Sequence, residues 1–174
     1  MQLDNIINVS ISTKSMSFIA LSTGIVYHVY MNRLRTYHGA GIIFWTHTKK
    51  GELVILLGKR SMNPQNHRWS FPGGGWDEQD GYTPGGMISY QRTAMRESIE
   101  EMGMKVSDPS ALRLIWSLTL PFFRYKVYSY HLEGMVNPPY ISEFSEYRWC
   151  TLDSLPKPLV AFVPSQIRAL KLKT

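Results

Sequence analysis

Nine consecutive residues carry the densest chemistry in the chain: Arg96-Glu97-Ser98-Ile99-Glu100-Glu101-Met102-Gly103-Met104. An α-helix turns about 100° per residue, so Glu97, Glu100 and Glu101 fall within an arc of about 100°. Met95, Ser98, Ile99 and Met102 fall in a second arc, roughly opposite. The pattern predicts one face packed on a sheet and another presenting three carboxylates. Neighbouring carboxylates on a helix repel one another by about a few tenths of a kcal/mol per pair. A cation offsets that cost, and hard oxygen donors at this density suit Mg²⁺ or Mn²⁺. Arg96 precedes Glu100 by one helical turn and is placed to brace it with a forked hydrogen bond.

A glutamate-rich helical face is most often plain solvated surface. The residues upstream argue otherwise. Phe71-Pro72-Gly73-Gly74-Gly75 sets a loop beside the helix that side chains do not obstruct. Its carbonyls can ligate a metal, and its amides can approach a phosphate. The elements that hold these pieces are also legible. Residues 40–46 and 52–57 read as strands, joined by a hairpin turn at Lys49-Lys50-Gly51. Residues 69–72 read as a short strand stopped by a proline. Residues 89–102 read as a helix ended by Gly103. Strand patterns follow at 112–120 and 122–132, separated by Pro121, and again at 147–151. A closing helix is expected at 166–172, after Pro164. Strands, a helix, strands and a helix predict an α+β fold, a mixed α/β sandwich.

Residues 96–104 follow the pattern Arg-Glu-apolar-x-Glu-Glu-x-Gly-apolar, except that Ser98 stands at an apolar position. Phe71-Pro72-Gly73-Gly74 matches the usual approach to that pattern. In these residues the chain resembles the Nudix (MutT-like) hydrolase superfamily. Softer likeness extends to Leu56-Leu57-Gly58-Lys59-Arg60, to Glu146-Tyr147-Arg148-Trp149 and to Leu155-Pro156, so that it covers about residues 38–172. The Nudix box departs from its usual spacing. Five residues separate Gly74 from Asp80, which stands where glutamate is usual, and fifteen residues separate Asp80 from Arg96 instead of seven. Residues 81–89 are thus expected to carry an insertion of eight inside the box. Asp80 or Glu78 stands in for the first glutamate, or the position is empty.

The resemblance implies an α/β/α sandwich with a mixed central sheet over residues 38–174, preceded by an N-terminal extension, residues 1–37. It implies hydrolysis of a phosphoanhydride bond by metal-activated water. Glu97, Glu100 and Glu101 would be the metal ligands, with the Gly73 carbonyl as a fourth and Arg96 beside them. A general base outside the box is expected at Glu143 or Glu146. Arg60, Trp69 and Gly74 are the candidate substrate contacts, with Lys59 a further phosphate candidate. Trp116, Phe122, Phe123, Tyr125 and Tyr140 include candidate base-stacking rings, most of them expected in the core. The substrate implied is a nucleoside diphosphate linked to another moiety, of the ADP-ribose, dinucleotide or dinucleoside polyphosphate type. Alternatives are an RNA 5′ end, either cap or pyrophosphate, and a non-catalytic nucleotide-sensing module.

Composition bounds the rest. The 174 residues suit one main domain, and with 44% hydrophobic residues they can bury a sizeable core. The net charge of +6 favours an anionic partner, but no run of five Lys/Arg marks a nucleic-acid tail. The single cysteine, Cys150, forms no internal disulfide and suits a reducing, cytoplasmic setting. Residues 16–31 are too short and too polar to span a membrane. With Asp4 ahead of the first base, Lys14, the start does not read as a signal peptide. Residues 1–37 are a candidate homodimer contact.

Overall fold

The computed structural model describes residues 10–12, 15–17 and 36–173. The chain divides into two compact units, Met1–Thr36 and Tyr37–Thr174. In the first, β1 (Ser10–Ser12) pairs antiparallel with β2 (Ser15–Ser17). Most of the apolar stretch at 16–31, and most of the candidate dimer contact, lies outside the described residues. Among the described residues no helix is long and apolar enough to cross a membrane.

The second unit is built on one mixed sheet of seven strands. These are β3 (Tyr37–His47), β4 (Leu53–Arg60), β5 (Trp69–Ser70), β6 (Gly73–Gly75), β7 (Arg113–Leu120), β8 (Phe123–His131) and β9 (Phe144–Thr151). β3 runs parallel to β8 along its length, while β7–β8, β4–β9 and β3–β4 are antiparallel. The central strands are covered on both faces, as mixed sheets with helices require. Side chains alternate along a strand. Ala40, Ile42, Phe44 and Leu56 pack with α1 (Tyr90–Met102), through Ala94 and Met102. Ile43, Ile55 and Leu57 pack with α2 (Val163–Lys171), through Val163, Ile167 and Leu170. The fold is therefore an α/β/α sandwich with a mixed central sheet.

β3 and β4 pair only at Trp45–His47 and Leu53–Ile55, then splay apart. Two short strands fill the wedge: β5 pairs with Gly58 and Lys59 of β4, and β6 pairs with Gly39–Gly41 of β3. The triple glycine, expected as an open loop, is thus a strand. Gly39 faces Gly75, Ala40 faces Gly74 and Gly41 faces Gly73, and at Gly39 and Gly41 a side chain has no room. A Cβ on Gly39 would meet the Gly74 carbonyl at 2.7 Å, and one on Gly41 would meet the Pro72 carbonyl at 2.7 Å.

α1 is rolled relative to its expected orientation. Its buried residues are Thr93, Ala94, Ser98, Glu101 and Met102. Ile99, expected to pack, is 41% exposed, and Glu101, expected to be presented, is 2% exposed. Seven residues advance a helix by nearly two turns, so Glu101 lies about 20° from Ala94 and shares its buried stripe. The buried Ser98 hydroxyl lies 2.8 Å from the Met104 carbonyl and 2.9 Å from the Met95 carbonyl, donating to one at a time. A serine is accommodated at this usually apolar position because the polar atom is satisfied locally.

Gly103 ends the helix at φ 64°, its amide donating to the Ile99 carbonyl. A Cβ there would stand 2.7 Å from Pro139 Cγ and 2.9 Å from Tyr140 Cε1. Left-handed backbone costs a residue with a Cβ about 1–2 kcal/mol. Gly103→Ala is therefore expected to lower the melting temperature by about 3–6 °C. An unchanged thermal unfolding curve would contradict that cost.

Candidate active site

Three carboxylates from α1 meet the glycine strand β6. The Gly73 amide donates to Glu101 Oε2 at 2.8 Å. In an extended strand a residue's N–H and C=O point to the same side, so the Gly73 carbonyl also faces the helix. Glu97 closes directly over Gly74: a Cβ built there would stand 2.5 Å from the Glu97 carboxyl carbon and 2.6 Å from both its oxygens. Glu100, further round the helix, is exposed. Burial pushes the Glu101 carboxyl up to about 8, against the pull of the Gly73 amide and Arg60, with Glu143 adding to the rise. Glu97 is also raised, first by burial, against the opposing Arg96 guanidinium.

Arg96 is the hub of this arrangement, but its fork does not face Glu100. Nε donates to Asp80 Oδ1 at 2.8 Å and Nη2 to Asp80 Oδ2 at 3.1 Å. Nη2 also donates to the Gly75 carbonyl at 2.7 Å, tying helix to glycine strand. Nη1 spans Glu97 at 2.9 Å and Glu100 at 2.6 Å. Asp80 is buried and sits in a short 3-10 turn (Glu78–Asp80) closed by a capping box with Asp77. Burial works against its charge, yet hydrogen bonds from Arg96, the Asp77 amide and Thr93 outweigh it and hold Asp80 below the usual carboxylate range. Of the two acids the sequence left open, Asp80 meets Arg96, while Glu78 is exposed.

On the other flank, Arg60 Nη2 donates to Glu143 Oε2 at 3.2 Å, and Nη1 lies 3.7 Å from Glu101 Oε1. Arg60, Gly73 and Gly74 also line a cavity of about 460 Å³ that opens beside the carboxylates. Its walls carry a stacked Tyr37–Phe123 pair at 5.1 Å and a tilted Trp116–Phe162 pair at 6.0 Å.

The NUDIX domain family model matches residues 36–170. The chain belongs to the Nudix family. Its class of reaction is hydrolysis of a phosphoanhydride bond. No curated protein matches it. Among solved structures, a MutT/nudix family protein from Enterococcus faecalis superposes with a TM-score of 0.57 at 18% identity, over 67% of this chain and 44% of that one. The NUDIX domain of Shewanella oneidensis NrtR, complexed with ADP ribose, gives 0.60 at 17% identity, over 79% and 88%. A Caenorhabditis elegans Ap4A hydrolase gives 0.55 at 19%, over 79% and 97%. At these identities the neighbours speak for the fold alone.

Nudix hydrolases generally use divalent metal ions. In this Nudix hydrolase, no three His, Cys, Asp or Glu side chains among the described residues are gathered as a ready-made ion site. Arg96 holds Glu97 and Glu100 instead. The donor set nonetheless fits a hard divalent ion: it is all oxygen and partly buried, and burial raises the Glu97 and Glu101 carboxyls despite the arginines beside them. An ion would take Glu97 and Glu100 from Arg96, which keeps Asp80 and the Gly75 carbonyl.

The other expected site residues divide. Glu143 lies against Glu101, whereas Glu146 contacts Lys59 at 3.9 Å and Arg148 at 2.9 Å, as strand residues facing Lys59 do. Trp69, a candidate for the substrate pocket or for core packing, is 3% exposed in the core beneath the Arg148 guanidinium. It begins β5 and its backbone pairs with Leu159, which fixes its ring inside. Of the aromatic candidates, Trp116, Phe123 and Tyr125 line the cavity, Tyr140 bonds the Ile99 carbonyl, and Phe122 is exposed. Cys150 is buried and its thiol raised by that burial, an inert setting. Gly39, Gly41, Ser70, Phe162 and Gln166 escaped the sequence reading. Only Gly39-x-Gly41 left a signal, since glycines inside a strand mark close backbone approach.

Asp80→Asn keeps the shape but weakens both Arg96 bonds. Loss of such a supporting partner typically costs about 10-fold or more in activity or metal affinity. The expected readout is a raised apparent Mg²⁺ requirement; wild-type metal titration in the variant would show that Asp80 does not matter to the site.

Proposed function

We propose that this Nudix hydrolase cleaves the pyrophosphate of a nucleoside diphosphate linked to a second moiety, of the ADP-ribose, dinucleotide or dinucleoside polyphosphate type. One observation carries the reading. The carboxylates of α1 and the 460 Å³ aromatic-walled cavity share Gly73 and Gly74, so a pyrophosphate over β6 would join a heterocycle on one side to the acidic helix on the other. The ADP ribose complex and the Ap4A hydrolase among the structural neighbours fit that substrate type.

In this reading Glu97, Glu100 and Glu101, with the Gly73 carbonyl, hold Mg²⁺ or Mn²⁺. Such an ion neutralises the pyrophosphate and lowers the pKa of a water. Arg96, anchored by Asp80, keeps the helix carboxylates over β6. Arg60 faces the cavity and binds phosphate. Glu143, half-buried and beside Glu101, accepts the proton of the attacking water, while Glu146 serves the strand pair with Lys59. The products are a nucleoside monophosphate and a second phosphate. A cytoplasmic setting suits the lone, buried Cys150. A homodimer through residues 1–37 is part of the proposal; a truncated chain with unchanged oligomeric state would remove it.

The test is a panel of nucleoside diphosphate derivatives with Mg²⁺ or Mn²⁺, wild type beside Glu100→Gln, products resolved by chromatography. The expected result is release of a nucleoside monophosphate, with most of that rate lost in the variant. Activity on free triphosphates alone would overturn the substrate type. A panel that binds but is not cut would favour a nucleotide sensor or an RNA 5′ end, the latter suited by the +6 charge and by the Arg124 and Lys126 lining of a second cavity.

A further inference from the structure

A second cavity, of about 420 Å³, opens where the start of α1 meets β3, β7 and β8. Side chains alternate along a strand, so Arg124 and Lys126 of β8 share one face, and both line this cavity. Register sets His38 of β3 on one side of Arg124 and Thr119 of β7 on the other. One row across three strands thus carries an imidazole, a guanidinium and a hydroxyl. Tyr90, the first residue of α1, holds the row from the helix side. Its hydroxyl lies 2.6 Å from His38 Nδ1, and Lys126 Nζ stands 4.5 Å from the centre of its ring.

The charge of this cavity is one-sided. No Asp or Glu lines it, and among the described residues neither Arg124 nor Lys126 forms an ion pair. Burial, and then Arg124, lowers the pKa of His38, as a cation without a counter-charge does. Two like charges on one strand face repel, and an anion between them would offset that. A plain solvated face would be open. Here Thr83, Met87 and Ile88, from the segment 81–89, supply a further wall, and Leu118 extends its apolar part. The volume is that of a small-molecule site and far larger than a bare ion needs.

We propose that this cavity is a second ligand site, for an organic phosphate. Arg124 and Lys126 bind the phosphate oxygens, with the Thr119 hydroxyl beside them. Met87, Ile88 and Leu118 cover the apolar or aromatic body that the phosphate carries. The group belongs to a free phosphate ester or to an RNA strand, which present the same chemistry. The cavity shares only Tyr125 with the 460 Å³ cavity and contains neither Gly73, Gly74 nor any carboxylate of α1, so the proposal does not rest on the hydrolytic reading.

The full chain is titrated in EDTA with phenyl phosphate and, in a second arm, with a short oligouridylate. Calorimetry gives the affinity, and backbone amide NMR gives the place. Saturable binding is expected in at least one arm, with shifts at residues 83–88, 119 and 124–126. Arg124→Gln and Lys126→Gln are each expected to weaken it by about tenfold. Lys49→Gln, an exposed cation in the β3–β4 turn, is expected to change it by less than about twofold. An oligouridylate that binds more tightly than phenyl phosphate, with a steep salt dependence, makes the source a strand; otherwise it is a free ester. No saturable binding in either arm overturns the proposal. So do shifts confined to residues 73–75, affinity that survives both cavity substitutions, or an equal loss in Lys49→Gln. None of these results bears on turnover of diphosphate derivatives.

Discussion

Glu101→Gln is expected to lower kcat/KM by about 10²–10³-fold, the scale of losing one group that stabilises a transition state. The same change is expected to raise the melting temperature of the metal-free protein at alkaline pH. The sign follows from burial. The Glu101 carboxyl is pushed up to about 8, whereas an unfolded glutamate titrates near ~4.3. The protonated form contributes stability fully present below about pH 4.3. That stability is lost as pH rises through about 8. Glutamine does not ionise and escapes the loss. Thermal unfolding in EDTA between about pH 5 and 9 should therefore show wild type falling away from the variant as pH rises. Parallel curves would mean that Glu101 is not the strained charge its surroundings imply. Raised stability with lost activity is the mark of a charge kept for function.

Gly74→Ala should lose activity without losing the fold. The three atoms nearest the new methyl all belong to the Glu97 carboxylate, at 2.5 and 2.6 Å, the far end of a flexible side chain. The carboxylate must swing aside, and a displacement of about 1 Å at a reacting centre can cost about 10²-fold in rate. The melting temperature should hardly move. Gly73 supplies the contrast. A Cβ there would meet Gly41 Cα at 2.6 Å and the Ala40 carbonyl at 2.7 Å, both backbone, so the strand pairing itself would open. Near-native kinetics in Gly74→Ala would show that Glu97 need not sit over β6.

Much of this was legible because it rests on local periodicity. Alternating strands covered on both faces, a helix ended by Gly103 and the Arg-Glu-x-x-Glu-Glu spacing all declare themselves within a few residues. The roll of α1 did not. An arc drawn through Glu97, Glu100 and Glu101 puts them together, but which edge of the arc is buried depends on β3 and β6, strands distant in sequence. Glu101 therefore looked presented and is buried beneath Gly73. The fork of Arg96 was likewise assigned to its helical neighbour, because i,i+4 partners are visible in sequence and Asp80, sixteen positions upstream, is not. Trp69, by its sequence a candidate for the substrate pocket or for core packing, lies in the core, and its strand neighbour Ser70 is buried as well. Ser70 and Gln166 carried no signal at all.

The excursion at residues 81–89 begins and ends at nearly one point: the Ser89 amide donates to the Gly81 carbonyl at 3.2 Å. Between them Tyr82 bridges Ile88, and the Thr83 amide donates to the Met87 carbonyl at 2.7 Å. The added residues satisfy their own backbone and hand the chain back where they took it. What α1 requires from upstream is a carboxylate beside Arg96, not a fixed number of intervening positions. The box spacing is thus a rule about contact that sequence comparison renders as a rule about counting. A detour that closes on itself leaves that contact untouched. For an engineer it marks a splice point where a reporter or affinity tag can be carried without rewriting the acidic helix.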